Sequence, residues 1–184
     1  MSTSGFFLAT YAAMDYLGDN AGANSEDLAF RWVGSFASIA TGTGPFNIQG
    51  GRNISDNTKF WQIFVNTNGS IEFNLRTATL AYKWTVPAST VSTDGTIYTI
   101  IFLLTGAGAT GQFYVTSRTA AAPVAITTTR ATLSTATVAT VGSWLFRRPT
   151  SSSSWGRLSH AAMYIASGGL ALATKLHNEF KDAT

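Results

Sequence analysis

KFWQIFVNTNGSIEFNL, residues 59–75, reads as two strands and the turn that joins them. Phe60, Gln62 and Phe64 alternate with Trp61, Ile63 and Val65; beyond the turn Ile71, Phe73 and Leu75 share one face. Alternation with a period of two marks a strand with one buried face. Asn68-Gly69 between the runs is a hairpin signal, since both residues tolerate the positive φ that a tight turn needs. The expected strands are Lys59–Val65 and Ser70–Leu75.

Similar strands lie on either side. Upstream, LAFRWVGSFASI (28–39) places Leu28, Phe30, Trp32 and Phe36 on one face, and Phe46 and Ile48 make a short strand before Gly50-Gly51. Downstream, Leu80–Val86 is a strand ended by Pro87. Asp94-Gly95 turns into TIYTIIFLL (96–104), apolar on both faces and therefore central in a sheet. QFYVTSR, Val124–Ile126, parts of Thr127–Thr140, Ser143–Phe146 and Trp155–Ile165 supply further short strands. Many short strands with turn residues between them indicate an all-β, antiparallel sandwich.

The chain then changes rhythm. After Gly168-Gly169, Leu172, Leu176 and Phe180 recur every four residues, the spacing of one helical face. So short a helix does not hold by itself in water. Its leucine stripe is expected to pack on the sandwich beside the last strand.

Composition narrows the class. The chain has 184 residues, enough to bury a core, and no internal linker, so one domain over 1–184 is the economical reading. Charged residues are 11% of the chain, under half of the roughly 25% usual in soluble domains. With 45% hydrophobic and 12% aromatic residues the chain is nonetheless expected to fold, with a surface built from Thr, Ser, Asn and Gln. The net charge of +3 reflects few acids rather than a basic patch. Arg147-Arg148 is too little for a nucleic-acid footprint. No cysteine is present, so there is no disulfide or thiolate site. The N-terminal MSTSGFFLATYAAMDYLGDN lacks a basic start and does not read as a secretory signal, and Ile100–Leu104 is too short to cross a bilayer.

In this order the run from Leu28 to Phe180 resembles the laminin-G-like, or concanavalin A-like, jelly-roll family. The resemblance is carried by LAFRWVGSF, FNIQGGRN, FWQIFVNTNGSIEFNL, STDGTIYTIIFLLTGAGATGQFYVTSR and GRLSHAAMYIASGGLALATKLHNEF. In the last of these Gly156, Leu158, Tyr164, Leu170 and Leu176 take the family's places. It implies a jelly-roll core over 28–180, with residues 1–27 as its first strand or as an arm docking on a neighbour. Phe113–Ser117 stands where the family writes an aromatic, Val, Asp and Gly, so the acids that help many members hold calcium have no counterpart. No metal and no cofactor are expected.

Three chemical motifs bear on activity. TGAGATG (105–111) contains G-x-G-x-x-G at Gly106, Gly108 and Gly111. Yet the residues after it alternate like a strand, and no acid appears before Glu179 to hold a ribose, so a hairpin loop is the better reading. Glycoside hydrolysis needs two carboxylates across one cleft, whereas Glu26 and Asp27 would point apart and Glu72 reads as outward. There is no G-x-S-x-G elbow, and His160 and His177 read as surface or satisfied structural residues. The chain is expected not to be an enzyme.

Five tryptophans remain. Most sit within strands beside other apolar residues, so core packing accounts for at least three, whereas Trp155, between four serines and Gly156, is harder to bury. Exposed aromatics mark contact surfaces. Trp144, Arg147, Arg148 and Trp155 are therefore expected to border one partner- or glycan-binding edge. A lectin-type fold, normally extracellular, without signal, cysteines or companion domain, points to a virion structural or decoration protein of a bacteriophage, made in the host cytoplasm. Its expected partners are other virion proteins, copies of itself and a host-surface carbohydrate, with no nucleic acid and no membrane. A free-standing carbohydrate-binding module is the alternative, and a glycoside hydrolase comes third.

Overall fold

The computed structural model describes residues 27–36, 46–52, 60–76, 81–105, 110–133, 142–147 and 156–181. Residues 1–26 are not among them, so the choice between first strand and docking arm lies outside the described residues. The strands are β1 (Leu28–Phe36), β2 (Phe46–Arg52), β3 (Phe60–Val65), β4 (Ile71–Arg76), β5 (Ala81–Thr85), β6 (Ile97–Thr105), β7 (Thr110–Ser117), β8 (Ala125–Ile126), β9 (Thr129–Thr132), β10 (Gly142–Arg147) and β11 (Gly156–Ile165), followed by helix α1 (Gly169–Lys181). One sheet has five strands in the order β11-β1-β6-β7-β8, the other six in the order β10-β2-β3-β4-β5-β9. Every pairing is antiparallel. The fold is an all-β antiparallel sandwich with one short C-terminal helix.

Alternation dictates what each sheet turns inward. Phe30, Trp32 and Phe102 from the five-stranded sheet meet Trp61, Phe73 and Trp84 from the six-stranded one, each at most 1% exposed. Their rings pack closely: Phe73 and Phe102 stack at 4.4 Å between centroids, and Phe30 lies 5.3 Å from Trp61. Burying one such side chain contributes about 1.5–3 kcal/mol, so the facing rings dominate the adhesion of the sheets. β6 is central, as its two apolar faces require: Ile100, Phe102 and Leu104 point to the core between sheets, Ile101 and Leu103 the other way.

Those other two residues explain the helix. Ala173 and Leu176 of α1 are buried against Ala29, Ile101, Leu103 and Tyr114, with Leu172 and Tyr164 packed alongside. The helix therefore roofs the outer face of the five-stranded sheet over β1, β6 and β7, rather than lying only beside the last strand. Its inward stripe also differs from a strict four-residue spacing, since it includes Ala173 and His177, which is fully buried. The side chain of Phe180 lies outside the described residues.

The β3–β4 hairpin turns where Asn68-Gly69 marks it, over residues 66–70, with Gly69 at φ +78°. One further expectation is corrected. β2 runs on through Gly50-Gly51, which sequence punctuation set as its end.

The glycine-rich loop leads into a strand and not a helix. Gly111 lies in β7 opposite Leu104, and the strand continues from it to Ser117. A Cβ at Gly111 would come within 2.5 Å of the Phe102 ring, so this glycine lets an aromatic close onto the backbone. Gly106 and Gly108 lie outside the described residues.

Candidate functional site

The edge expected to bind partners is placed only in part. Trp144 and Arg147 are on β10, an edge strand of the six-stranded sheet, with Trp144 opposite Gly50 and Arg147 opposite Asn47. Arg148 and Trp155 lie outside the described residues.

From Trp144 the register continues inward across the whole sheet. Gly50 faces Gln62, Gln62 faces Asn74, Asn74 faces Lys83, and Lys83 faces Ala131 on β9. Since Phe73, Leu75 and Trp84 point to the core, Gln62, Asn74 and Lys83 belong to the outer face. The neighbouring row carries Phe64, Glu72 and Thr85. Two members stand out for their burial: Asn74 is 4% exposed and Phe64 7%, although α1 covers the other sheet. The Asn74 side-chain oxygen, Oδ1, has no hydrogen-bond partner among the described residues. A buried acceptor without a donor is costly and calls for a partner. The part-exposed members of the two rows, Gln62, Glu72, Lys83 and Thr85, can donate and accept hydrogen bonds, while Asn74 and the Phe64 ring are buried among them. The sequence marked Glu72 as outward, but nothing in a strand pattern singles out Asn74.

A second polar cluster lies under the helix. Arg31, on the outer face of β1, is only 2% exposed. Its Nη1 donates to the Leu176 carbonyl at 2.9 Å and to Glu179 Oε2 at 2.5 Å, and its Nη2 donates to His160 Nε2 at 3.0 Å and to the Tyr164 hydroxyl. The guanidinium thus joins β1, β11 and α1. Burial, and after it the Arg31 charge, hold the His160 pKa below its ordinary 6.5, while Glu179 pulls the other way. Burial pushes the Tyr164 hydroxyl above its ordinary 10.0. On the same helix His177 Nε2 donates to the Ala120 carbonyl at 2.8 Å, leaving buried Nδ1 without a partner among the described residues. His177 is therefore a core histidine, half satisfied.

Among the described residues, Glu179, Glu72 and Asp94 lie apart from one another. Glu179 serves Arg31, Glu72 is on the outer face of the other sheet, and Asp94 accepts the Thr96 N–H at 2.9 Å in the β5–β6 loop. Among the described residues no group of three or more His, Cys, Asp or Glu could hold a metal ion, and no helix is long and apolar enough to cross a membrane.

Fold and faces together define the class: an antiparallel β-sandwich, helix-roofed on one sheet, with a polar, aromatic-bearing outer face on the other. No protein-family model matches the sequence, and no curated protein matches it. Among solved structures the chain is similar to the binding domain of botulinum neurotoxin serotype D/C VPI 5993, with a TM-score of 0.52 at 9% identity over 88% of this chain and 38% of that one. The serotype C1 binding domain aligns with a TM-score of 0.48 at 10% identity, over 84% of this chain and 37% of that one. This chain thus spans well under half the length of either. At such identity the first likeness shows a shared fold.

Proposed function

We propose that this chain is a non-catalytic recognition module, displayed on a virion, that binds surface carbohydrate through the outer face of its six-stranded sheet. The observation that carries the reading is the pair of adjacent rows on that face, in which part-exposed Gln62 and Lys83 stand beside part-exposed Glu72 and Thr85, with Asn74 and the Phe64 ring buried among them. Sugars present hydroxyl groups, which suit such a mixture of hydrogen-bond donors and acceptors. The likeness in fold to a neurotoxin binding domain supports a binding role over a catalytic one. A chain poor in charge and rich in Thr and Ser supports display within an assembly, with Trp144, Arg147, Arg148 and Trp155 as the edge toward other virion proteins or copies of the chain.

A glycan array probed with the intact protein tests the reading. Binding that falls at least tenfold in Gln62→Ala and Lys83→Ala, with unchanged circular dichroism, is the expected result. Trp155→Ala is expected to weaken copurification with particles and leave glycan binding intact. An intact protein that retains no glycan overturns the carbohydrate reading.

A further inference from the structure

We propose that the outer edge of β11 pairs with the same edge of a second copy, joining the five-stranded sheets of the two chains into one continuous sheet. β11 is an end strand, held to β1 on one side, and among the described residues no strand lies on its other side. The ladder fixes which backbone groups face that way. The Ala166 N–H donates to the Asp27 carbonyl at 3.0 Å, so in this register Tyr164 and Ala162 bond across to Ala29 and Arg31. The alternate residues, Ala161, Met163 and Ile165, therefore turn their N–H and C=O groups outward.

Edges that stay single are guarded by charge, proline, shortness or a bulge. β11 has ten residues and no proline, and its register shifts only opposite Val33/Gly34, before the regular run 160–165. From Leu158 to Thr174 the sequence carries no Asp, Glu, Lys or Arg. Such an edge has no charge with which to select a charged partner, but it is complementary to itself. Antiparallel pairing of identical strands closes about a two-fold axis. With the axis at Met163, Ala161 faces the partner's Ile165 and Met163 faces the partner's Met163, so every outward group of the row is bonded. On the outer face small Ala162 falls opposite the partner's Tyr164. Ala161 and Met163 keep their packing on the core, because the contact uses backbone.

The position of the edge agrees. β8 and β9 follow one another in the chain and end the two sheets on one side, so β11 and β10 share the opposite rim. The bond from Trp32 on β1 to Gln49 on β2, each the neighbour of an end strand, fits that order. The β10 edge with Trp144 and Arg147 is the one proposed to meet partners, and pairing at β11 continues that contact along the same rim. A two-fold between neighbouring antiparallel strands stands perpendicular to the sheet, so both copies keep the same face up. The outer faces that carry Gln62 and Lys83 then point to one side. Two such faces engage one surface with avidity beyond that of either. The pairing requires no glycan, whereas the avidity rests on the carbohydrate reading proposed above.

Sedimentation of the full chain over a hundredfold range of concentration tests the pairing, with the mass expected to rise from that of one chain to that of two. Ala161→Pro removes an outward N–H and takes no bond from β1. It is expected to weaken dimerisation at least tenfold with unchanged circular dichroism. A monomer at every concentration, or a dimer that Ala161→Pro leaves intact, overturns the proposal. Should Ala161→Pro fail to fold, amide hydrogen exchange of the unaltered protein decides. Ala161, Met163 and Ile165 are expected to gain protection at least tenfold with concentration, while Ala162 and Tyr164, bonded to β1 throughout, change less than twofold. Equal change in the two sets, or none in either, overturns the pairing. A dimer that Ala161→Pro dissolves supports it whether or not the glycan array retains a ligand.

Discussion

Trp32 and Gln49 are joined across the core: the indole N–H of the first, on β1, donates to Oε1 of the second, on β2, at 2.6 Å. The bond links one sheet to the other amid aromatic rings. Trp61 and Trp84 share that core, and their indole nitrogens have no partner among the described residues. Trp32→Phe keeps most of the apolar area but strands the Gln49 amide, and is expected to cost about 1–3 kcal/mol. Adding Gln49→Leu removes the stranded group and should recover much of the loss. Urea unfolding of both single variants and the double variant closes the cycle.

Gly69 couples two turns. Its carbonyl accepts the Val91 N–H at 3.1 Å, its φ is +78°, and a Cβ would lie 2.5 Å from the Val91 carbonyl oxygen. Gly69→Ala therefore combines backbone strain with a collision against main chain. It is expected to destabilise by about 1–3 kcal/mol, with faster amide exchange at Ser89 and Val91. Thermal unfolding and exchange measure the two effects separately.

Asp94 organises the loop before β6. Its carboxylate is held ionised by the Thr96 side chain, then by the Thr96 backbone N–H, then by Ser92, which lowers its pKa to about 2. The linkage is present above 3.8 and lost as pH falls toward about 2. A carboxyl NMR titration should find Asp94 near the lower value and should show Thr96→Val moving it back toward 3.8.

Arg31→Met fills similar volume without a charge. It removes every bond of the guanidinium, leaves the Leu176 carbonyl to the helix alone and frees half-exposed Glu179 to water. The expected loss is about 2–4 kcal/mol, smaller than an unpaired buried arginine would cause. The signature to look for in unfolding and exchange is loss confined mainly to α1.

Much of the architecture is written in short-range pattern. Residues 60–65 and 71–75 alternate as the strands do, TIYTIIFLL has the two apolar faces of a central strand, and Leu172 and Leu176 mark the helix. What escaped depends on distant chain. Arg31 looks like an ordinary outward residue in LAFRWVGSF, because the helix that buries it arrives 145 positions later, at Leu176. His177 and Asn74 are hidden for similar reasons: their burial comes from packing between elements, which no local spacing records. The Thr-rich stretch resisted delimitation because all four residues of β9 are exposed, which leaves no apolar face to set its ends.

β1 begins where β11 ends: Leu28 lies opposite Ile165, and the Ala166 N–H donates to the Asp27 carbonyl at 3.0 Å. Tension applied at positions 27 and 166 therefore draws two neighbouring strands apart from the same end. Their ladder opens rung by rung, as a zip does, and never bears the load on all its bonds at once. However dense its interior, the sandwich is mechanically soft in this one direction, and β11 is the piece that would peel away first.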